Sequence, residues 1–217
     1  MKFIPILFST PMVQAILGGR KTQTRRVLKL SKYHPSLPHK QPEVKTVKDL
    51  KLYDGNGELE GDLVMRYGKP GDVLWVRECF NYIHDGHSDK FIRYGYKADW
   101  VEGITSHPKN KGIWKPSIHM PKKACRLFLR IKDIRVERLK DISEIDAIAE
   151  GIHAVDKKGG FILYENYRKN YRPSILRDPN KSFFSLWESI NGKESLELNP
   201  WVWVIEFEKI EKPENFI

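Results

Sequence analysis

Residues 18–26 read Gly18-Gly19-Arg20-Lys21-Thr22-Gln23-Thr24-Arg25-Arg26. The apolar run Met12–Leu17 ahead of them follows Thr10-Pro11, and those two residues suit the cap and first position of a helix over 11–17. The two glycines stop that helix at its C-terminus. Residues 3–9 before it read as a strand, and Arg25 to Leu30 can begin a second. The turn between helix and strand therefore gathers a hydroxyl that could act as a nucleophile, a lysine that could lose a proton, and arginines on both sides. The plainer reading of the same residues is a solvated basic loop.

Outward from this turn, strand signals alternate with short helical ones, which makes the class α+β. Val73 to Phe80 is rich in β-formers and is entered through a Gly71-Asp72 turn. Phe91 to Ala98 is a second candidate strand with interleaved aromatics. Cys125 to Leu139 alternates as a long strand, but the apolar phase slips at Lys132-Asp133, which predicts a bulge or bend there. Ser143 is a good cap for an acidic helix ending at Gly151. Ser182 to Ile190 reads as a short helix, and Trp201 to Ile210 as the last strand. Two stretches read as insertions in one domain covering 1–217. One spans about 31–69, with three prolines and an Asp54-Gly55-Asn56-Gly57 hairpin turn; the other spans about 153–181 and is turn-rich and basic-aromatic. Gly112 to Pro121 reads as loop.

The 217 residues carry a net charge of +10, unevenly placed. Residues 20–51 hold a balance of +8 and residues 107–135 another +8, so the remaining residues sum to −6. Such clustering predicts a phosphate-rich partner: RNA, single-stranded nucleic acid or a modified nucleoside. No apolar window approaches a membrane span, and the N-terminus lacks a full signal-peptide core, so no membrane partner and a cytoplasmic location are expected. Cys79 and Cys125 lie outside any CxxC or CxxH pattern, which predicts free thiols and no structural zinc. No dinucleotide fingerprint, Walker loop, HExxH or GxSxG occurs, so no cofactor or metal is expected. His84-Asp85-x-His87 is the only histidine cluster and reads as an exposed turn.

Four stretches, in order, resemble the ASCH domain family of the PUA-like superfamily. These are Pro5-Ile6-Leu7-Phe8 with its helix and Gly-Arg-Lys-Thr-x-Thr-x-Arg; Pro70-Gly71-Asp72-Val73-Leu74-Trp75-Val76-Arg77-Glu78; Asp141-Ile142-Ser143-Glu144 through Ala149-Glu150-Gly151-Ile152; and Trp201-Val202-Trp203-Val204-Ile205-Glu206-Phe207. The resemblance implies a PUA-like, ASCH-type β-barrel with short flanking helices and two inserted loops. It is closest to longer bacterial and phage-like members, which share the Trp114-x-Pro116-Ser117-x-His119-Met120 stretch.

A small bacterial member of this superfamily hydrolyses the amide of N4-acetylcytidine. It uses a Lys and a Thr at Lys-x-x-Thr spacing after the first helix and a Glu in the later helix. Carried over by motif, those positions are Lys21, Thr24 and Glu150, with Glu78 as the competing acid. The chemistry is self-consistent: a threonine needs a base to take its proton, and a lysine serves only if burial or neighbouring cations depress its pKa. Arg20, Arg25 and Arg26 would supply such neighbours and anchor phosphate or an oxyanion. Arg77, Glu78, Trp114, Lys115 and His119 are further candidate substrate or nucleic-acid contacts, Trp114 by stacking on a base. Trp75, Trp201 and Trp203 read as core. The alternatives are a non-catalytic RNA-binding module using the same basic cleft, and a ribonuclease. The chain is about twice the length of the compact enzyme, and its extra loops could reshape the cleft.

Overall fold

A computed structural model describes residues 1–28, 47–48, 51–53, 59–62, 66–85, 90–100, 114–158, 161–168 and 174–216. The chain runs β1 (Phe3–Leu7), α1 (Thr10–Leu17), β2 (Gln23–Val27), then the short strands β3 (Val47–Lys48), β4 (Lys51–Tyr53) and β5 (Leu59–Asp62). It continues through β6 (Val73–Arg77), β7 (Phe80–His84), β8 (Phe91–Tyr96), β9 (Phe128–Arg138) and α2 (Glu144–Ala149). Last come β10 (Ala154–Lys158), β11 (Phe161–Glu165), β12 (Ile175–Leu176), α3 (Pro179–Asn191), α4 (Lys193–Glu197) and β13 (Trp201–Ile210).

The class is α+β. Its centre is a five-stranded sheet in the order β1-β6-β9-β13-β2. β1 and β6 are parallel and the other neighbours antiparallel. The first two strands of the chain thus form the two edges of the sheet, and α1 connects them. No backbone ladder joins β1 to β2 among the described residues. Instead the Arg26 guanidinium, on one edge strand, donates 2.7 Å from Nη2 to the carbonyl of Leu7 on the other.

The phase slip at Lys132 is a bulge: Glu206 faces Asp133 while Phe207 faces Ile131. Lys132 is the extra residue. It lets Leu129 and Ile131 before it, and Ile134 and Val136 after it, all pack against one core. Without the bulge, with Lys132 kept in the ladder, strict alternation would send one pair to the opposite face. That core also takes Phe8, Val13, Ile16, Trp203, Ile205 and Phe207, and α1 covers it. The alternate residues Val202 and Val204 face a second core with Leu139, Ile142, Phe183 and Trp187, roofed by α2 and α3. Trp203 is buried, Trp201 packs half-buried against the first core, and Trp75 flanks a third core around Phe80, Met120, Phe128 and Phe216.

Several boundaries move for local physical reasons. Ser9, not Thr10, is the cap residue of α1, and it makes no side-chain cap bond. The strand read over 73–80 stops at Arg77 and resumes as β7 at Phe80, which pairs with β8 instead of the main sheet. Ser143 caps α2 by accepting from the Asp146 amide at 3.1 Å. Helix α3 starts three residues before Ser182, because Asp178 caps it by accepting from the Lys181 amide and Pro179 fits its first turn. The stretch read as a second insertion holds a three-stranded sheet, β10-β11-β12. In the first insertion, β4 and β5 pair antiparallel, Lys51 with Asp62. The Asp54–Gly57 turn between them lies outside the described residues, as do the three prolines at 35, 38 and 42.

Candidate active site

Lys21 is turned inward by the backbone around it. Gly18 ends α1, Gly19 adopts φ +73°, and the amides of Arg20 and Lys21 both donate to the Ala15 carbonyl. Lys21 then forms an isolated antiparallel bridge with Glu150, 129 residues away, and the Thr22 amide donates to Ala149. The Lys21 ammonium donates 2.8 Å to the Glu150 carbonyl and 2.7 Å to Glu150 Oε2. Both side chains are almost wholly buried, at 1% and 5% exposure. Glycine at 151 permits this approach: its φ is +87°, and a Cβ there would lie 2.7 Å from Lys21 Cβ.

Burial pushes the Lys21 ammonium below its ordinary value of 10.5. Glu150 opposes that shift, and the charges of Arg26 and Arg25 reinforce it. The exposed Arg20 guanidinium instead donates to the Gly151 carbonyl at 3.1 Å.

Arg25 is the largest departure from the sequence reading, because it is not a surface anchor. Its side chain is fully enclosed. Nη1 donates to Glu150 Oε1 at 3.1 Å, Nε to Glu137 Oε1 at 3.1 Å, and Nη2 to both Glu137 Oε1 and, at 3.1 Å, Asp146 Oδ2. Asp146 in turn accepts from Arg135 Nη2 at 2.7 Å, and Arg135 also pairs with Glu137 and Glu206. The result is a continuous run of alternating charge: Lys21, Glu150, Arg25, Asp146 with Glu137, Arg135, Glu206. Buried charges require this kind of pairing.

Thr24 lies next to Arg25 on β2 and is 2% exposed. Together with Glu150, Arg26, Met12, Phe183 and Trp187 it lines a recess of about 90 Å³. Met12, Glu150, Leu186 and Ile190 are shared between this recess and a larger cavity of about 470 Å³, whose polar lining includes Arg20, His153, Glu165 and Tyr167. The larger cavity falls within the common size range of small-molecule sites, ~300–1,000 Å³. The Tyr167 hydroxyl accepts from the His153 amide at 2.7 Å. Arg26 stands over the Phe8 ring, 5.2 Å from its centroid. Its Nε is buried with no partner among the described residues.

The other sequence candidates fall elsewhere. Glu78 is buried, but its partner is Arg126, whose Nε and Nη2 reach its two oxygens at 2.8 and 3.1 Å. Burial raises the Glu78 carboxyl and Arg126 opposes that rise. Glu78 is therefore not the acid beside Lys21. Arg77 is the ladder partner of Leu7, donates from Nη2 to the Ile118 carbonyl, and lies 5.6 Å from the Trp75 ring. Trp114 packs edge-on to Trp100 at 6.3 Å. Lys115 bridges to Phe80 and places Nζ 5.6 Å from the Tyr82 ring; His119 is exposed in a short 3₁₀ turn.

The sequence reading omitted Glu137, Asp146, Arg135 and the α3 walls of the recess. Asp146 carried a signal, as the third residue of the capped helix. Three cations of the second basic segment, Arg126, Arg130 and Arg135, pair with acids from other segments. Lys109 and Lys111 lie outside the described residues, as do Lys29, Lys32, Lys40 and Lys45. Among the described residues no group of three or more His, Cys, Asp or Glu could hold a metal ion, and no helix is long and apolar enough to cross a membrane. Cys79 and Cys125 are free thiols, and burial raises that of Cys125 to about 11. Compared with family models, with curated proteins and with solved structures, the chain matches none.

Proposed function

We propose that the chain is an ASCH-type, PUA-like domain and that it hydrolyses the amide of an acylated cytidine, N4-acetylcytidine or a close relative. The fold reading is supported by the strand–helix–strand start, by the curled sheet with Arg26 spanning its edges, and by α2 delivering Glu150 to the first turn. The observation that carries the function is the buried Lys21–Glu150 pair beside a recess that Thr24 lines.

The chemistry follows from proton bookkeeping. A neutral lysine amine has two N–H bonds and one lone pair. Glu150 offers two acceptors to Lys21 Nζ, so the N–H bonds are engaged and the lone pair remains for a proton. Lys21 takes the Thr24 hydroxyl proton as the oxygen attacks the acyl carbon. Collapse of the tetrahedral intermediate breaks the C–N bond, Lys21 returns the proton to the departing N4 amine, and the acyl group rests as an ester on Thr24. Water, deprotonated by Lys21, then attacks that ester; Thr24 Oγ leaves with the proton returned by Lys21, and the acyl group departs as acetic acid, which ionises to acetate. Arg26 is the donor available to the oxyanion, and Arg20 the cation at the rim of the larger cavity. Arg25 acts by holding Glu150.

The test is acetate release from N4-acetylcytidine. Wild type is expected to release it, Thr24→Ala to abolish release with the fold intact, and mass spectrometry to find an acetylated Thr24 peptide in the quenched wild type. Activity unaffected by Thr24→Ala would remove the mechanism. In a second reading, an RNA-binding module without catalysis, the buried Lys21–Glu150 and Arg25–Glu150 pairs serve only as a structural ion network, which their burial also fits. Nothing in the geometry favours a ribonuclease.

A further inference from the structure

Strands β7 and β8 form a hairpin separate from the main sheet, and one of its faces is lined with rings. The ladder pairs Phe80 with Tyr96, Tyr82 with Tyr94 and His84 with Phe91. Residues 80, 82 and 84 alternate along β7, as do 96 and 94 along β8, and a bulge at Ile92 returns Phe91 to the same face, in ring contact with Tyr94. The inner pair serves the protein's own core: Phe80 is fully buried, and the Tyr96 hydroxyl donates 2.7 Å to the Ala124 carbonyl. The middle pair is half-buried, and at the outer end Phe91 is 44% exposed. Tyr82, Tyr94 and Phe91 remain in mutual ring contact, with centroids 5.6, 6.0 and 5.0 Å apart. Packing explains the inner rings. It does not explain a ring surface that continues outward into solvent.

Cations sit beside these rings. Lys115, exposed, holds Nζ 5.6 Å from the Tyr82 centroid, and Lys90 stands exposed at the start of β8. Near the inner end, the acids Glu78 and Asp99 are both taken up by Arg126. Exposed aromatic faces bordered by lysines match a strand that presents unpaired bases and phosphates. A duplex hides its base faces from such a surface.

We infer that the β7–β8 hairpin is a stacking platform for single-stranded RNA, with Phe91, Tyr94 and Tyr82 receiving bases and Lys115 and Lys90 facing phosphate. The platform does not depend on amide hydrolysis. It adds strand binding on a different element from the Lys21 recess, so the two fail separately.

The experiment is fluorescence anisotropy of a labelled mixed-sequence 12-nucleotide RNA at low salt, against wild type and exposed-site variants checked by circular dichroism. Phe91→Ala is expected to weaken binding about 5- to 150-fold, the loss of one stacked base. Phe91→Trp should retain affinity, whereas Phe91→Leu should not. Lys115→Gln should reduce the slope of log affinity against log salt by about 0.7, one phosphate contact on a single strand. Ile162→Ala, at an exposed position on β11, should bind as wild type does. Absent binding of the single strand, tighter binding of the corresponding duplex, or affinity unchanged in both Phe91→Ala and Phe91→Leu would each overturn the platform.

Discussion

Lys21 holds Glu150 at two points, donating to the main-chain carbonyl at 2.8 Å and to the carboxylate at 2.7 Å. One contact fixes where the helix ends; the other fixes a charge. The same side chain thus joins the end of α2 to the turn after α1 and also carries the proton the proposed chemistry needs.

The rate of hydrolysis should rise with pH along a limb set by Lys21, with its inflection below 10.5, because the amine must be neutral to accept the Thr24 proton. Glu150 raises the Lys21 value and Arg26 lowers it. Glu150→Gln should therefore move the inflection to lower pH and Arg26→Leu to higher pH, read from kcat/KM profiles. Inflections moving the opposite way would mean that another group titrates. Glu78→Gln should change turnover less than Glu150→Gln.

Stability should report the pair as well. Lys21→Met leaves the Glu150 carboxylate buried with only Arg25, and a broken buried pair costs ~3–5 kcal/mol. Adding Glu150→Gln to that variant should recover part of the loss, measured by urea unfolding as a double-mutant cycle. The sign with pH is also fixed. Because the folded value of Lys21 is lowered, the unfolded chain binds more protons in the window between that value and 10.5, so this group makes stability rise with pH there. Lys21→Met should remove that slope.

Asp72 closes the turn into β6, accepting from the Lys2 amide at 2.7 Å through one oxygen and from the Lys69 amide at 3.2 Å through the other. Burial alone would raise this carboxyl, but the two amides, together with the charges of the terminal ammonium and Lys69, outweigh it and hold it below 3.8. Its stabilisation is present above 3.8 and is lost as pH falls through the lower folded value. Asp72→Asn presents one acceptor and one donor to two donors, and should cost ~1–3 kcal/mol at neutral pH by urea unfolding. A cost that persists unchanged at acid pH would contradict this origin.

Gly151→Ala tests the tight approach behind the site. Alanine there combines a positive φ with a 2.7 Å approach to Lys21 Cβ, whereas Gly71→Ala, at φ +90°, meets nothing within 4 Å. The left-handed strain of about 1–2 kcal/mol is common to both. Gly151→Ala should lose more than Gly71→Ala in thermal unfolding, and should lose hydrolysis as well.

The sequence made individual elements legible where the physics is local. The phase slip at Lys132-Asp133 is a bulge because side-chain parity is a property of one strand. Ser143 caps α2 because the cap reaches only three residues on. Properties that depend on distant partners were not legible. Arg25 and Arg135 look like surface charge in a basic run; their neutralising acids, Glu137, Asp146, Glu150 and Glu206, come from two other strands and a helix. Strand β11 shows Phe161 and Ile162 exposed, and β12 is only two residues long, so neither displays the alternation that marks a half-buried sheet. Motif spacing names Thr24 and Glu150, which line the recess, and Lys21, which pairs with Glu150; the α3 wall that encloses the recess carries no such signal.

The sheet order has a consequence for the time at which this site can exist. β2, which carries Thr24, Arg25 and Arg26, has one ladder partner, and that partner is β13, the last strand of the chain. Lys21 can meet Glu150 once α2 has formed, but β2 finds no ladder partner among the described residues until Trp201–Ile210 has emerged. At ~5–20 residues per second, the 180 residues from Lys21 to Trp201 take roughly 9–36 s to follow. A truncated product, or a chain stalled before that strand, contains the whole Lys21, Thr24 and Glu150 set in covalent form and lacks the strand that holds Thr24 in place. Assembly of the site thereby coincides with completion of the main sheet.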